Sequence, residues 1–563
     1  MEELISASNS FTSALRRYST ACRAATELFA SSRDIKNTSN GILKFISLKL
    51  QDIAQHELEI QKTRCILAQS RNSARTIAPI NALPLDILTQ IFDTVYYWGR
   101  CSISGEYHFD NETGCLRYPN WLAPDTLSHV CKHWRRVILA SPSSWTHIDI
   151  TNTDDLSPLF QKLLCRGETF AERALPHNLT VHLSLATPTN PISCYGEAER
   201  LNRFHSIVGS RTKSLELELW TENSAFRELL ERSLVHAVPG VLQNISITVK
   251  SSDNGGVVMA NTHQGNSQAT AMKLGIPEYF LSNLLGPVTV LRLRNLFFPW
   301  YSSAYSGLSD LRLLTNFRGQ GAISIPIHNL RDILQSSPGL RILHLNINVD
   351  IRSPYMNFHP TQENPPISLK DLQELNLRRM CGSQRDMVFS IVQPGDRPLT
   401  LSVSVQPEVY DTLGARHLLS PAILDFSKRS NITRLYLEDL EEETRFFGDI
   451  LTGLSVGPTG LRTLGLERFI IAKEITDNRM QTMGQQWPVK VEHLLMSKCT
   501  YAISTLRALV QLCPIQVFAE VSSEYIQFSE RGYEEMATIF PVLMLPETGY
   551  PVDQWNELGV LDC

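Results

Sequence analysis

The sequence predicts a mixed α/β fold, in which a long solenoid of α/β repeats follows two all-helical segments. Three observations predict it: a leucine pattern that recurs beyond residue 149, helical periodicity in the first 77 residues, and a pair of amphipathic helices between these regions. The chain has 563 residues, of which 43% are hydrophobic, so it contains ample apolar material for a large core.

Residues 1–77 predict a helical hairpin. Apolar residues from Phe11 to Phe29 recur at three- and four-residue steps, which is typical of an amphipathic helix. A Ser/Asn-rich break follows, and then four apolar residues stand seven apart, as in a coiled-coil seam: Ile46, Ile53, Ile60 and Leu67. A second apolar heptad position begins with Leu43 and Leu50, but Glu57 and Arg64 occupy it in the next two heptads. Because the seam is interrupted in this way, the pattern favours an intramolecular hairpin over a dimer.

Residues 78–148 predict two further helices, separated by a polar insertion at 99–121. The first begins near Pro84, and its apolar arc is wider than the roughly 100° stripe that one core face requires. The flank formed by Pro84, Ile87 and Ile91 is therefore a candidate partner surface. The second helix is predicted from Pro124 to Ala140, with Ser-Pro closing it.

Residues 149–540 carry the repeats. The pattern leucine, two residues, leucine, one residue, leucine stands at 340–345, 372–377 and 461–466, and conservative versions fill the intervals. It predicts one short strand per repeat, with leucines pointing into the core and the intervening residues facing out. The near-regular spacing favours a leucine-rich-repeat solenoid over an ordinary α/β domain with parallel strands. Residues 541–563 are expected to form a C-terminal tail.

Three motifs within residues 78–148 stand in a specific order. They are the string Ile80-Asn-Ala-Leu-Pro-Leu-Asp-Ile-Leu-Thr-Gln-Ile-Phe92, the string Leu127-Ser-His-Val-Cys-Lys-His-Trp134 and the string Ala140-Ser-Pro-Ser-Ser-Trp145. Together they resemble the F-box of the F-box-like proteins of fungi, a family in which the module commonly follows a helical segment and precedes leucine-rich repeats. The insertion at 99–121 departs from a compact F-box.

The resemblance implies a function as a substrate-recognition adaptor of an SCF-type cullin-RING ubiquitin ligase. F-box helices dock on a Skp-type adaptor, which links them to a cullin and its RING subunit. Carried over by motif, seven residues form that interface: Leu83, Pro84, Ile87, Ile91, Val130, Cys131 and Trp134. Plain core packing is the alternative for each of them. A repeat-based scaffold or binding protein that engages no ubiquitin ligase is the alternative for the whole chain.

A protein substrate is expected on the outward-facing residues of the repeat strands, because side chains alternate along a strand. The candidates are Arg292, Arg294, Arg312, His344, Asn346, Asn376, Arg378 and Tyr436. The middle strands are basic in this pattern, which favours an acidic or phosphorylated substrate segment. A merely solvated strand face is the equal alternative.

Composition narrows the other classes of function. A net charge of −5 argues against nucleic acid as a partner, and no apolar run predicts a secretory signal or a membrane span. Eleven cysteines without a Cys-x-x-Cys pair indicate a reducing compartment, cytoplasmic or nuclear.

No catalytic motif indicates an enzyme, and no cofactor is expected. A group of cysteines and histidines around the insertion fits no standard zinc spacing, so no metal site is predicted there: Cys101, His108, Cys115, Cys131 and His133.

Overall fold

The computed structural model describes residues 2–31, 39–73, 79–98, 108–110, 115–117, 124–152, 158–185, 195–221, 224–251, 256–260, 271–316, 323–350, 365–405, 420–439, 444–445, 460–471, 491–501, 515–520 and 542–544. The chain divides into two compact units, Met1–Val95 with Leu122–Ala140, and Tyr96–Trp121 with Ser141–Cys563. The domain limits expected at residues 77, 148 and 540 stay predictions.

The first unit begins with two long helices, α1 (Glu2–Ser31) and α2 (Ser39–Ser73). Helices were expected in both places, and the sequence pattern favoured an intramolecular hairpin of the two. In the structure Ile46 is 37% exposed and Leu67 is 48% exposed, and apolar residues of α1 such as Leu15 are exposed as well. These seam residues are thus exposed in the described part of the two helices, and the intramolecular hairpin stays a prediction.

Three shorter helices complete this unit: α3 (Leu85–Trp98), α4 (Pro124–Val130) and α5 (Lys132–Leu139). A 3₁₀ turn, Pro79–Ala82, precedes α3. The single helix expected from Pro124 to Ala140 is wrong, because the helix breaks at Cys131, which adopts an extended backbone conformation. The core of the unit includes apolar residues that are at most 3% exposed: Leu88, Phe92, Leu127, Val137 and Ile138.

The second unit contains a short antiparallel pair, β1 (His108–Asp110) and β2 (Cys115–Arg117), inside the expected insertion. Its main element is a parallel sheet in which fourteen described strands pair in chain order. They are β3 (His147–Asn152), β4 (Leu179–Leu185), β5 (Thr212–Thr221), β6 (Asn244–Ser251), β9 (Val290–Arg294), β11 (Asp310–Leu314), β13 (Ile342–Asn346), β16 (Glu374–Leu377), β18 (Leu399–Val405), β19 (Ile432–Asp439), β21 (Thr463–Glu467), β23 (His493–Ser497), β25 (Val517–Glu520) and β26 (Val542–Met544).

Short strands form smaller sheets beside the large one. These are β7 (Gly256–Ala260), β8 (Ala271–Leu274), β10 (Leu296–Phe297), β12 (Ser324–Pro326), β14 (Asn348–Asp350), β15 (Ile367–Leu369), β17 (Val392–Pro394), β20 (Thr444–Arg445), β22 (Ile470–Ile471) and β24 (Thr500–Tyr501).

Helices connect several of the strands of the large sheet. They are α6 (Pro158–Arg173), α7 (Tyr195–Val208), α8 (Ser224–Val235), α9 (Glu278–Leu285), α10 (Ile327–Gln335), α11 (Gly382–Ile391) and α12 (Pro421–Lys428). The core follows from the register, since Leu311, Leu343 and Leu375 are direct partners on adjacent strands and none has exposed surface. Burying one such side chain contributes roughly 1.5–3 kcal/mol. The chain is thus a mixed α/β protein with a long parallel sheet and N-terminal helices, compatible with a solenoid-like fold.

A left-handed turn recurs at one position after several strands. Non-glycine residues with φ between 51° and 61° stand there: Asn295, Arg379, Arg468 and Lys498. The residue that follows each of them is buried, and these residues are Leu296, Met380, Phe469 and Cys499. Because the left-handed conformation redirects the chain, the next side chain enters the core. Sequence analysis missed this turn, since arginine and lysine carry no signal for positive φ.

Asn295 offers a test of the turn. Its side-chain amide donates to the carbonyl of Val249 at 2.6 Å and accepts from the backbone N–H of Asn316 at 2.8 Å. We expect Asn295→Ala to lower the free energy of unfolding by about 2–4 kcal/mol, because both bonds and a residue tolerant of positive φ are lost. Chemical denaturation measures this. Asn295→Gly should cost less, and Asn431→Ala, at an exposed asparagine, should cost under about 1 kcal/mol. Equal losses in all three variants would contradict the interpretation.

Candidate functional site

The beginning of α3 exposes apolar side chains. The carbonyl of Pro84 accepts from the N–H of Leu88 at 3.0 Å, so the helix starts directly after the proline. Leu88 has no exposed surface, whereas Leu85 is 56% and Ile87 39% exposed. Pro84 is exposed too, and Leu83 and Ile91 are half-buried. The flank singled out by the sequence therefore lies at the surface of the helical unit, as expected from its wide apolar arc.

Cys131 lies between α4 and α5 and caps the first turn of α5. Its Sγ accepts from the backbone N–H of Trp134 at 3.5 Å, and its carbonyl accepts from the N–H of Arg135 at 2.9 Å. Both interactions cap the first turn of α5, where backbone donors lack partners inside the helix. Next to this cap, Val130 is 46% exposed. Of these two predicted contact residues, Val130 offers the larger apolar surface.

Trp134 joins α5 to the other elements of its unit. Its Nε1–H donates to Asn81 Oδ1 at 2.8 Å, and its ring lies 4.7 Å from that of Phe92, centroid to centroid. These contacts hold the 3₁₀ turn, α3 and α5 together. Trp134 is half-buried, so core packing, which was the alternative for this residue, is part of its role.

Two exposed apolar residues of this surface were not predicted, Leu85 and Leu139, which are 56% and 46% exposed. Three exposed cations also lie on α5, namely Lys132, Arg135 and Arg136. We call the exposed apolar residues Pro84, Leu85, Ile87, Val130 and Leu139 the apolar surface set of the helical unit.

A second candidate site is the polar face of the large sheet. The strand register aligns one residue from each strand in a continuous row, which we call the central row. From β3 to β21 it contains Asp149, His182, Glu216, Ser246, Arg292, Arg312, His344, Asn376, Ser402, Tyr436 and Gly465. Five of the eight predicted substrate residues therefore form part of one ladder.

Asp310 pairs with two of the predicted arginines. Arg292 donates to Asp310 Oδ2 from Nε at 3.1 Å and from an Nη at 2.7 Å, while Arg312 Nε donates to Oδ1 at 3.0 Å. Burial opposes ionisation of Asp310, but the charges of Arg312 and Arg292 outweigh it and lower the pKa of the carboxyl. The Arg292 side chain remains 46% exposed and that of Arg312 16%.

His344 is buried, with 2% of its surface exposed, and its Nε2 lies 2.6 Å from Glu374 Oε1. Burial lowers the pKa of His344 although Glu374 acts in the opposite direction. The ring is therefore neutral near pH 7, and its N–H donates to the carboxylate. His344 contributes no positive charge to the row.

Arg378 belongs to a buried ionic cluster. It forms an ion pair with Glu467, and its Nε lies 3.4 Å from Glu438 Oε2. Glu438 has no exposed surface, accepts from the Ser404 hydroxyl at 2.7 Å and lies 3.5 Å from Arg379 Nε.

The two carboxyls of this cluster are shifted in opposite directions. Burial opposes ionisation of Glu438, but Arg378 and the Ser404 hydrogen bond outweigh it and lower the pKa of Glu438. Burial raises the pKa of Glu467, and the negative charge of Glu438 raises it further, despite Arg378.

The remaining predicted residues contact other parts of the protein. Tyr436 is 5% exposed and packs over Gly465, where a Cβ atom would lie 2.2 Å from the tyrosine ring. Asn346 donates to the carbonyl of Thr315 at 3.1 Å, and Asn376 Oδ1 accepts from the N–H of Arg378 at 3.1 Å.

Most of the predicted residues are thus buried or paired within the chain. His344, Asn376, Arg378 and Tyr436 are buried, and carboxylates pair with Arg292, Arg312 and Arg378. The sequence did not identify Asp310 as a partner of the arginines, because it stands directly before Leu311 and belongs to no recognised motif. Whether these residues bind a substrate stays a prediction.

Comparisons with known proteins add little. No protein-family model matches the sequence, and no curated protein matches it significantly. A solved structure of a Rad7 and Elc1 complex in yeast is 12% identical, with 90% of this chain and 98% of that chain covered and a TM-score of 0.34. Similarity at this level carries no argument about fold or function. Among the helices described in the structure, none has the length and apolarity needed to cross a membrane.

The buried cluster yields a stability test. We expect Arg378→Met to lower the free energy of unfolding by about 3–5 kcal/mol, because Glu438 and Glu467 would stay buried without their shared cation. Arg397 offers a matched control, since it pairs with Asp371 at the surface with side chains 54% and 41% exposed. Arg397→Met should cost at most about 1 kcal/mol. Denaturant titrations of both variants measure the difference, and similar losses would contradict the role given to Arg378.

Proposed function

We propose that the protein is the substrate-recognition subunit of an SCF-type cullin-RING ubiquitin ligase, with an F-box in its helical unit and leucine-rich repeats in its sheet unit. The observation that carries the proposal is the apolar surface set. It occurs in the segment whose motifs resemble an F-box, and it includes three of the seven residues that the resemblance assigns to the Skp-type adaptor: Pro84, Ile87 and Val130.

An exposed apolar set of this kind has a physical cost. Apolar surface removed from water contributes about 25 cal/mol per Å², so side chains such as Leu85 and Ile87 gain stability when a partner covers them. Pro84 restricts the backbone directly before α3, which lowers the entropy lost on docking. The exposed cations Lys132, Arg135 and Arg136 add a charged rim that favours an acidic partner face.

The sheet unit supplies the second surface of an adaptor. Its central row runs across adjoining strands, and Arg292 keeps nearly half of its side chain exposed while it is held by Asp310. A guanidinium oriented in this way is suited to a carboxylate or phosphate group of a protein substrate. The proposed function needs no reactive group in this chain, because an adaptor acts by binding both partners at once.

Two substitutions that place a negative charge in the apolar surface set test adaptor binding. We expect Ile87→Asp and Val130→Asp each to weaken binding of the Skp-type adaptor by about thirty-fold or more, the effect of losing about 2 kcal/mol at a central apolar contact. The measurement is a titration of full-length protein with purified adaptor.

Val235→Asp is the matched control, since Val235 is a 51% exposed valine of the sheet unit. Circular dichroism confirms that all three variants fold. Copurification of the wild-type chain with neither Skp-type adaptor nor cullin would overturn the proposal in favour of a scaffold that engages no ligase. Wild-type binding in both F-box variants would overturn the interface assignment.

Substrate capture is tested at the exposed part of the row. Charge reversal at Arg292 and Arg294 should reduce capture of an acidic or phosphorylated substrate while adaptor binding stays unchanged. Arg378 is excluded from this test because its substitution would disturb the buried cluster. Substrate turnover in cells and copurification from them measure the effect. Unaltered capture by the double variant would remove the basic residues from recognition.

A further inference from the structure

The first three strands of the large sheet bring together four ionisable side chains that the proposed function does not use. His147 and Asp149 lie two residues apart on β3, so their side chains project from the same face. Strand pairing places Asp149 beside His182 of β4, and His182 beside Glu216 of β5. One end of the polar face therefore carries two imidazoles and two carboxylates on adjoining strands.

Three of these residues converge on one point. His147 Nε2 lies 2.9 Å and His182 Nδ1 lies 3.4 Å from the same oxygen, Asp149 Oδ1. One possible ligand atom from each residue lies within 4.8 Å of the other two. Zinc bonds nitrogen and oxygen at about 2.0–2.2 Å, so the ligands of a tetrahedral ion stand about 3.3 Å apart. The two spacings to Asp149 Oδ1, 2.9 and 3.4 Å, are close to this value.

The second nitrogen of His182 contacts a carboxylate of the neighbouring strand. Nε2 lies 3.0 Å from Glu216 Oε2, a hydrogen bond in which the ring N–H donates. The other ring nitrogen, Nδ1, lies on the side of Asp149. A histidine that binds a metal through one nitrogen commonly donates to a carboxylate from the other.

His182 Nδ1 and Asp149 Oδ1 lie 3.4 Å apart, and the group they form with His147 is mostly enclosed by the protein. The histidines are each at most 2% exposed, whereas the Asp149 and Glu216 side chains are 12% and 42% exposed, so solvent reaches the group from the carboxylate side.

We propose that His147, Asp149 and His182 bind one divalent transition-metal ion of the zinc type, with Glu216 as the residue that orients His182. Three protein ligands leave a fourth position for water or for a donor from a partner. The ion connects β3 to β4, at the end of the large sheet where, among the described strands, β3 pairs with β4 alone. This site departs from the sequence expectation that the chain holds no metal.

Metal titration of the full-length protein tests the site. Chelator-treated protein is titrated with Zn²⁺ by calorimetry and with Co²⁺ by visible absorption spectroscopy. We expect one ion per chain in this site, Co²⁺ bands of a tetrahedral nitrogen and oxygen environment, and a higher midpoint of thermal unfolding with Zn²⁺ than without it.

Three variants assign the ligands. His147→Gln and His182→Gln remove a ligand nitrogen and should abolish the Co²⁺ bands. Glu216→Gln keeps all three ligands and should weaken binding by about 10- to 100-fold, as for other residues that orient a ligand. His344→Gln is the matched control: His344 is equally buried in the same row and bonds to Glu374, and its replacement should leave metal binding unchanged.

Two results would overturn the proposal. The first is wild-type protein without stoichiometric Zn²⁺ or Co²⁺ binding, in which case the cluster is a hydrogen-bond network whose carboxylate is screened by Arg166. The second is undiminished binding in His147→Gln and His182→Gln, which would assign the ion to surface thiols such as Cys165 or Cys381. Glu216→Gln keeps the test valid if either histidine variant fails to fold.

Discussion

The structure of the sheet unit depends on one constraint, the in-register parallel pairing of strands that follow one another in the chain. A single strand of five residues cannot bury its leucines by itself, but each neighbour extends the same apolar face. Leu311, Leu343 and Leu375 show the result, since they are direct partners without exposed surface. Helices such as α6 and α10 and the left-handed turns after the strands are arranged around this leucine layer.

The same register places polar side chains next to one another on the opposite face. Adjacent strands lie about 4.8 Å apart, so charges on neighbouring strands interact strongly and must be compensated. Asp310 compensates Arg292 and Arg312, while Arg378 compensates Glu438 and Glu467. The polar face is consequently an internal network as well as a surface. The side chains on this face therefore have orientations that contacts within the protein already determine.

The helical unit differs from the sheet unit because it leaves some of its large apolar side chains exposed. Trp134, Phe92 and Asn81 hold its elements together, yet Ile87 and Val130 remain exposed. Many apolar strand residues of the described sheet are buried within the chain, whereas Ile87 and Val130 are not. This difference is what the proposed adaptor function uses.

The sequence by itself determined the strand leucines, the N-terminal helices and the apolar flank of α3, because each depends on local periodicity that 3.6-residue and two-residue repeats reveal. It did not determine the break at Cys131 or the burial of His344, Arg378 and Tyr436. Those features depend on partners distant in the chain, as when Arg378 meets Glu467 and His147 meets His182. Only the tertiary structure decides them, because the loops between strands vary in length and spacing alone does not specify which residues become neighbours.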